Sequence, residues 1–215
     1  MNHLYRRVAR GLALSAVALL LASCGGGGSA DSPVVDDAFY PEPESEWELV
    51  WEDEFDGDAL NSENWEPQIG DGSDYGLDRW GNGEQQWYLA ENATVADGVL
   101  TITARSEEVV SGFPYTSARI RTANKFDFEY GRVEVRAKAA LEGGLWSAVW
   151  MLPTDSPYGT WAGSGEFDIM EVVNAGTARE RVFLTAHHGF EWPLNQQAGM
   201  DVEVESPGDE FHTYA

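Results

Sequence analysis

Residues 163–174 read Gly-Ser-Gly-Glu-Phe-Asp-Ile-Met-Glu-Val-Val-Asn, a run in which acidic and apolar residues alternate. Successive side chains of a β-strand point to opposite faces, so Glu166 and Asp168 are expected on one face. Under strict alternation Glu171 would fall on the other face, but a one-residue β-bulge near residues 169–170 would return it. The run therefore predicts a bulged strand with three acids along one side. Its core side is expected to carry Phe167, Ile169 and Val172.

Short alternating runs recur on both sides of this strand. Residues 131–138 alternate apolar with charged side chains, residues 98–104 alternate apolar with threonine, and residues 182–188 alternate less cleanly. Glycine-rich connections separate these runs, and no convincing amphipathic helix follows the first 24 residues. The pattern predicts an all-β sandwich or jelly roll.

Composition excludes several classes of function. The chain has 215 residues, a length that suits one domain or one domain with a tail. Its formal net charge of −24 argues against binding nucleic acid or a polyanionic glycan, both of which need a basic surface. Its one cysteine excludes an internal disulfide framework and a cysteine-rich metal site.

The first 23 residues are typical of an export signal. Three arginines precede an apolar or small-residue run over residues 11–23, which is shorter than the ~20 residues that span a bilayer. The run ends in Leu-Ala-Ser-Cys at residues 21–24, which resembles the lipobox of bacterial lipoproteins. That resemblance implies lipidation of Cys24 and an exported protein on the outer membrane or cell surface. The alternative is an ordinary signal cut nearby, which leaves a free cysteine.

Residues 24–46 are predicted to form a flexible tether. After Cys24 they have four glycines at residues 25–28 and continue into a segment rich in proline and acidic residues. Residues 31–56 contain eleven Asp or Glu and no Lys or Arg, and such a block repels itself and stays extended. The predicted organisation is a signal peptide at residues 1–23, a tether at residues 24–46 and a folded domain at residues 47–215.

A row of three adjacent carboxylates suits glycoside hydrolysis. Like charges raise one another's pKa, so one carboxyl can stay protonated while another is ionised. A retaining glycosidase uses one of each, as acid and as nucleophile. The alternatives from the pattern alone are a solvated strand face and a cation site.

Tryptophans flank this row at positions 146, 150 and 161. Trp146 and Trp150 share one face of the predicted strand, and aromatic faces stack on sugar rings. Packing in the core is the alternative interpretation of these residues.

The segment Glu166-Phe-Asp-Ile-Met-Glu171 resembles the bulged E-x-D-x-x-E signature of glycoside hydrolase family 16, in its laminarinase-like branch. The resemblance covers about residues 47–215, and its motifs occur in the family's order. The further matching segments are residues 47–57, 80–88, 115–122, 130–134, 145–153, 185–189 and 211–215.

The resemblance implies a concanavalin-like β-jelly roll with a substrate cleft and retaining endo-hydrolysis of β-1,3-glucosidic bonds in a neutral β-glucan such as laminarin. Glu166 matches the nucleophile, Asp168 the assisting acid and Glu171 the general acid/base. Further matching positions in substrate binding are Trp150, Trp161, Trp146, Asn82, Glu84, Arg119 and His187. Some members bind a structural calcium, for which Glu54 and Gly98 are matching positions. Catalysis is expected to need no cofactor, and the protein is expected to be a monomer.

Three alternatives remain open at this point. Mixed-linkage β-1,3-1,4-glucan is the second substrate expected. An agarase-like galactan hydrolase ranks third, because sulfated galactans demand a basic cleft and this chain is acidic. A non-catalytic glucan-binding surface lipoprotein belongs to another class, although such relatives typically lose one of the acids. The chain also stops at Ala215 within an apparent strand, so we expect a domain that is incomplete at its C-terminus.

Overall fold

A computed structural model describes residues 2–8, 46–173 and 181–215 of the chain. Cys24 and nearly all of the predicted tether lie outside these residues. The strands are β1 (Asn2–Val8), β2 (Glu46–Glu52), β3 (Glu66–Gln68), β4 (Gln86–Tyr88), β5 (Ala93–Ala96), β6 (Val99–Ile102), β7 (Tyr115–Ser117), β8 (Arg119–Arg121), β9 (Arg132–Ala137), β10 (Trp146–Met151), β11 (Glu166–Val173), β12 (Arg181–His188), β13 (Gln196–Glu203) and β14 (His212–Tyr214). Short 3₁₀ turns occur at Ser73–Tyr75, Asp78–Gly81 and Ala90–Asn92. Across the described ranges no helix has the length and apolar character needed to cross a membrane.

Two four-stranded antiparallel sheets form the body of the domain. One has the order β14-β9-β1-β2 and the other the order β10-β11-β12-β13. Three two-stranded pairs, β3-β8, β4-β7 and β5-β6, accompany them. This arrangement confirms the predicted all-β fold.

The hydrophobic core lies between the two four-stranded sheets. Ile169, Met170 and Val172 of β11 and Val182 of β12 pack against Tyr214 of β14, with Ala139 completing the buried cluster. Val133 and Ala137 of β9 pack around that cluster, as the alternation over residues 131–138 predicts. The core therefore holds β11 rigidly from its apolar side, which leaves its acidic side free for chemistry.

Phe167 corrects one sequence prediction. It was expected in the core, but its side chain is 59% exposed. The described core cluster on β11 begins at Ile169, so Phe167 lies at the end of the strand that the cluster does not reach. Burial of Ile169 and Val172 agrees with the prediction, and Met170 joins them.

Strand β1 comes from the segment predicted as an export signal. It pairs antiparallel with β2 on one side and with β9 on the other. Leu4 is its buried residue, at 3% exposure. Removal of the signal therefore takes a central strand out of this sheet, whereas the signal itself stays a prediction.

Candidate active site

A β-bulge in β11 sets the geometry of the acidic face. Trp150 and Val149 of β10 pair with Asp168 and Met170, so Ile169 is skipped on that side. The register towards β12 shifts within the same interval, between Asp168 and Glu171. The predicted bulge at residues 169–170 is thus confirmed, and it brings Glu171 to the face that carries Glu166 and Asp168.

Two indole N–H groups hold the two glutamates. Trp161 Nε1 donates to Glu166 Oε2 at 2.6 Å, and Trp146 Nε1 donates to Glu171 Oε1 at 2.7 Å. Trp146 lies on β10, whereas Trp161 comes from the loop that leads into β11. Each glutamate is therefore fixed by its own tryptophan, from a different element of the fold. The sequence did not predict these hydrogen bonds; at these two positions it predicted stacking on sugar rings, with packing in the core as the alternative.

Asp168 lies between the two glutamates and faces a histidine. Its Oδ2 is 3.2 Å from His187 Nε2, and only 2% of its side chain is exposed. His187 pairs with Glu166 across the β11–β12 ladder, so the contact to Asp168 is diagonal. The His187 ring also packs beside Trp161, with 5.2 Å between ring centroids. The structure thus places the predicted cleft histidine against the acids.

Burial raises the pKa of all three carboxyls. It raises the pKa of Glu166 to about 7, and the charge of Asp168 adds to the rise. Burial and then the charge of Asp168 raise the pKa of Glu171 as well. The indole donors oppose both rises, while His187 opposes the rise in the pKa of Asp168. The face can therefore hold ionised and protonated carboxyls together near neutral pH, as acid/base chemistry requires.

Arg119 lies between the rings of two tryptophans, Trp80 and Trp150, next to the acidic face. Its guanidinium carbon lies 4.3 Å from the ring centroid of Trp80 and 4.6 Å from that of Trp150. Trp150 in turn pairs with Asp168 in the sheet. The arginine is thus clamped between two indoles, and this cation–π arrangement sets the position of Trp150.

Two polar side chains, Gln68 and Glu84, contact the guanidinium group of Arg119. Arg119 Nε donates to Gln68 Oε1 at 2.7 Å, and its Nη1 lies 3.9 Å from Glu84 Oε1. Glu84 also accepts a hydrogen bond from Gln86 Nε2 at 2.5 Å. Asn82 is exposed in the turn after Trp80 and lies outside this linkage. Of the three predicted polar contacts, the structure therefore brings together Glu84 and Arg119.

Trp80 and Gln68 were not predicted as site residues. Trp80 is 5% exposed and donates from Nε1 to the carbonyl of Gly70 at 3.1 Å. It has a φ of 55°, and Arg79 before it a φ of 45°, a left-handed conformation that costs energy in non-glycine residues. The ring fits because residue 72 is a glycine: a Cβ built on Gly72 would lie only 2.9 Å from Cδ2 of Trp80. Such a contact across the fold leaves no local sequence pattern.

One group among the described residues has the spacing of a cation site. Ligand atoms of Glu166, Asp168 and His187 all lie within 4.8 Å of one another, although these side chains already contact Trp161 and each other. Elsewhere, the carbonyl oxygen of Glu54 would stand 3.9 Å from a Cβ built on Gly98. The two positions predicted for calcium are thus neighbours in the fold. Calcium itself stays a prediction.

Comparison with known proteins agrees with this geometry. The family model described as glycosyl hydrolases family 16 matches residues 82–215. The chain is 39% identical over 185 residues to glucan endo-1,3-beta-glucosidase A1 of Niallia circulans. The aligned region covers 78% of the chain and 26% of that protein. It is 43% identical over 109 residues to a beta-1,3-glucan-binding protein of Penaeus monodon, which covers 47% of the chain and 30% of that protein. The chain thus spans less than a third of the length of these two relatives.

A solved structure with a similar fold is the laminarinase catalytic domain from Thermotoga maritima MSB8. It superposes with a TM-score of 0.71 at 36% identity and covers 79% of this chain and 69% of that domain. The likeness extends to the jelly-roll arrangement of the two sheets, as predicted from the sequence. The family model, the fold and the bulged acidic strand all agree, and the chain therefore belongs to family 16 of the glycosyl hydrolases.

Proposed function

We propose that this chain hydrolyses β-1,3-glucosidic bonds within neutral β-glucans such as laminarin, with retention of configuration. The bulge at residues 169–170 carries the proposal, because it aligns Glu166, Asp168 and Glu171 on one face. A merely solvated strand face would not need indole donors on two of its three acids. The names of the similar endo-glucosidase and laminarinase support the same substrate class.

Glu166 is the nucleophile in the first step. Its ionised carboxylate forms a bond to the anomeric carbon as the glycosidic C–O bond breaks, and Glu171 gives its proton to the leaving oxygen. In the second step Glu171 takes a proton from water, whose oxygen attacks the same carbon. The ester bond to Glu166 then breaks, and its carboxylate is restored.

Burial, Asp168 and the Trp161 indole bear on the protonation states for these steps, while the Trp146 indole opposes protonation of Glu171. The productive form has Glu166 ionised and Glu171 protonated. The Trp161 N–H favours ionisation of Glu166, while burial and the charge of Asp168 keep the pKa of Glu171 raised. Since burial also brings the pKa of Glu166 to about 7, its ionised form becomes abundant only from neutral pH upwards.

The surroundings of the acids favour a neutral glucan. Trp146 and Trp161 are exposed beside the glutamates, and Trp150 lies over Arg119, so aromatic faces are available for sugar rings. Arg119 is engaged by Gln68 and Glu84, which weakens its use against sulfate. We therefore rank laminarin first, mixed-linkage β-glucan second and agarase-like galactan third.

The decisive experiment measures reducing ends released from laminarin, lichenan and agarose by the wild-type chain and by Glu166→Gln. We expect cleavage of laminarin that falls by about three orders of magnitude in the variant. Glu129→Gln is the matched control, because Glu129 is exposed and outside the acidic face. NMR of the first product would show the β-anomer if configuration is retained. Cleavage that persists in Glu166→Gln would contradict the assignment of the nucleophile.

A non-catalytic glucan binder is the second candidate, favoured by the relative from Penaeus monodon whose name states that activity. Retention of all three acids argues for the enzyme, since binding alone does not need them. Unchanged laminarin binding with no release of reducing ends, in wild type and Glu166→Gln alike, would favour the binder.

Anchoring and metal binding are further parts of the proposal. Export, lipidation at Cys24 and a monomeric state follow from the sequence predictions, and labelling with a radioactive fatty acid in wild type and Cys24→Ala would test the anchor. A structural calcium would be held in part by the backbone carbonyls of Glu54 and Gly98, away from the carboxylates. There it would brace the loop before β6 and take no part in the proton transfers.

A further inference from the structure

An exposed aromatic surface extends from Trp161 onto the loop between β12 and β13. Phe190, Trp192 and Leu194 of that loop are 64%, 72% and 71% exposed. Trp192 lies beside Trp161, with ring centroids 6.4 Å apart and an interplanar angle of 39°. We call the rings of Trp161 and Trp192 the indole pair. Exposed apolar side chains that lie together on one surface are typical of a binding site.

The indole pair is held in place by contacts between the two loops. The carboxylate of Glu191 accepts hydrogen bonds from the backbone N–H of Thr160 at 2.6 Å and from its hydroxyl at 3.1 Å. The backbone N–H of Trp192 donates to the carbonyl of Trp161 at 3.3 Å. A Cβ on Gly159 would collide with Glu191 Oε1, so glycine at this position permits the contact. The exposed ring of Trp192 is thus carried on a backbone that is already ordered.

The pair is continuous with the carboxylates. Trp161 donates to Glu166 and packs beside His187, while its other neighbour is Trp192. A polysaccharide that places a sugar at Glu166 therefore has a second aromatic surface next to it. A surface ordered before binding adds affinity without a large entropic cost.

We propose that Trp192 binds a further pyranose ring of the same neutral glucan chain, outside the sugars that contact the carboxylates. This inference rests on the proposed function and names the part of the substrate that the loop recognises. The ligand is a neutral sugar, since stacking needs the apolar face of a ring. The nearby carboxylate of Glu191 and the acidic face would repel a polyanion.

The test compares Trp192→Ala with wild type on laminari-oligosaccharides of increasing length and on laminarin. We expect kcat/KM on laminarin to fall about tenfold, equivalent to ~1.4 kcal/mol. The shortest oligosaccharide that is cleaved should lose less than about twofold, because it does not reach the loop. Trp192→Phe should recover most of the loss, since it keeps an aromatic face. Val109→Ala is the control, because its side chain is apolar and exposed but lies outside the loop between β12 and β13 and outside the acidic face.

An equal loss at every chain length, or no loss on laminarin, would overturn the proposal. If the wild-type chain cleaves no glucan, the proposed function fails and binding decides the matter separately. Laminarin affinity would then be measured by calorimetry for the Glu166→Gln chain with and without Trp192→Ala. A weaker affinity in the double variant supports the sugar site, and an unchanged affinity overturns it.

Discussion

The indole N–H of Trp161 lies 2.6 Å from Oε2 of Glu166, close enough to bias the protonation of that carboxyl. The bond favours the ionised form and so lowers the pKa of Glu166 against the rise due to burial. Trp146 stands in the same relation to Glu171 at 2.7 Å. Two tryptophans thus donate hydrogen bonds to the acids, and under the proposed function the same rings would also contact sugars.

Trp161→Phe removes this donor and keeps an aromatic ring. The pKa of Glu166 should rise above about 7, so the acidic limb of the kcat/KM–pH profile should move to higher pH. Trp146→Phe provides the comparison, since it should raise the pKa of Glu171 and leave the Trp161–Glu166 hydrogen bond in place. An acidic limb that stays in place in Trp161→Phe would contradict the role of the bond.

His187→Gln tests the contact with Asp168. Loss of the His187 ring should raise the pKa of Asp168, which then competes with its neighbours for the proton. We expect kcat on laminarin to fall about tenfold, with a smaller change in KM. His188→Gln, an exposed neighbour, should leave both constants unchanged. A change confined to KM would indicate direct substrate contact in place of positioning.

Glu166→Gln should stabilise the fold in a pH-dependent way. Because burial raises the pKa of Glu166 from 4.5 in the unfolded chain to about 7, the folded state holds its proton more tightly. Its contribution to stability is full below pH 4.5 and is lost as pH rises through about 7. The Tm of Glu166→Gln relative to wild type should therefore be higher at pH 8 than at pH 5. An equal difference at both pH values in thermal melts would contradict this assignment.

Arg119→Met tests the clamp between Trp80 and Trp150. The variant loses two cation–π contacts, the hydrogen bond to Gln68 and the ion pair with Glu84, which keeps its hydrogen bond from Gln86. We expect a loss of about 1–3 kcal/mol in the free energy of unfolding and a raised KM. Arg121→Met is the comparison on the same strand, since Arg121 has a half-buried ion pair with Glu66 and, among the described residues, a single, longer ring contact, 5.2 Å to Tyr75; we expect a loss of less than ~1 kcal/mol. Equal losses in urea titrations of the two variants would refute the clamp.

Leu4→Ala tests the place of β1 in the sheet. Leu4 is buried between β2 and β9, so truncation should cost about 2–5 kcal/mol. Leu194→Ala removes the same atoms from an exposed side chain and should cost less than ~0.5 kcal/mol. Deletion of residues 1–23 should lower the Tm further, because β2 loses its partner in this sheet and β9 loses one of its two partners.

A stable chain after that deletion would show that β1 is dispensable. That result would agree with removal of the segment during export. A large loss would mean that the processed protein needs another strand at this position, since unpaired strand edges expose backbone groups.

The sequence by itself determined the bulged strand and its three acids. Alternation makes Glu166 and Asp168 neighbours on one face, and the extra residue between Asp168 and Glu171 returns the third acid to it. Both are local properties of one strand, so a single segment carries them. The apolar side of that strand was predictable only in part, because burial of Phe167 depended on how far the facing sheet extends.

The tertiary structure alone decided which groups tune those acids. Trp146, Trp161 and His187 reach the carboxylates from three different elements, and Arg119 lies between indoles that are far apart in sequence. Proximity of this kind arises from how sheets and loops pack, and no period of two or spacing of residues encodes it. The sequence therefore determined which acids can react, while the packed fold decided their pKa values and the aromatic surface that a glucan would meet.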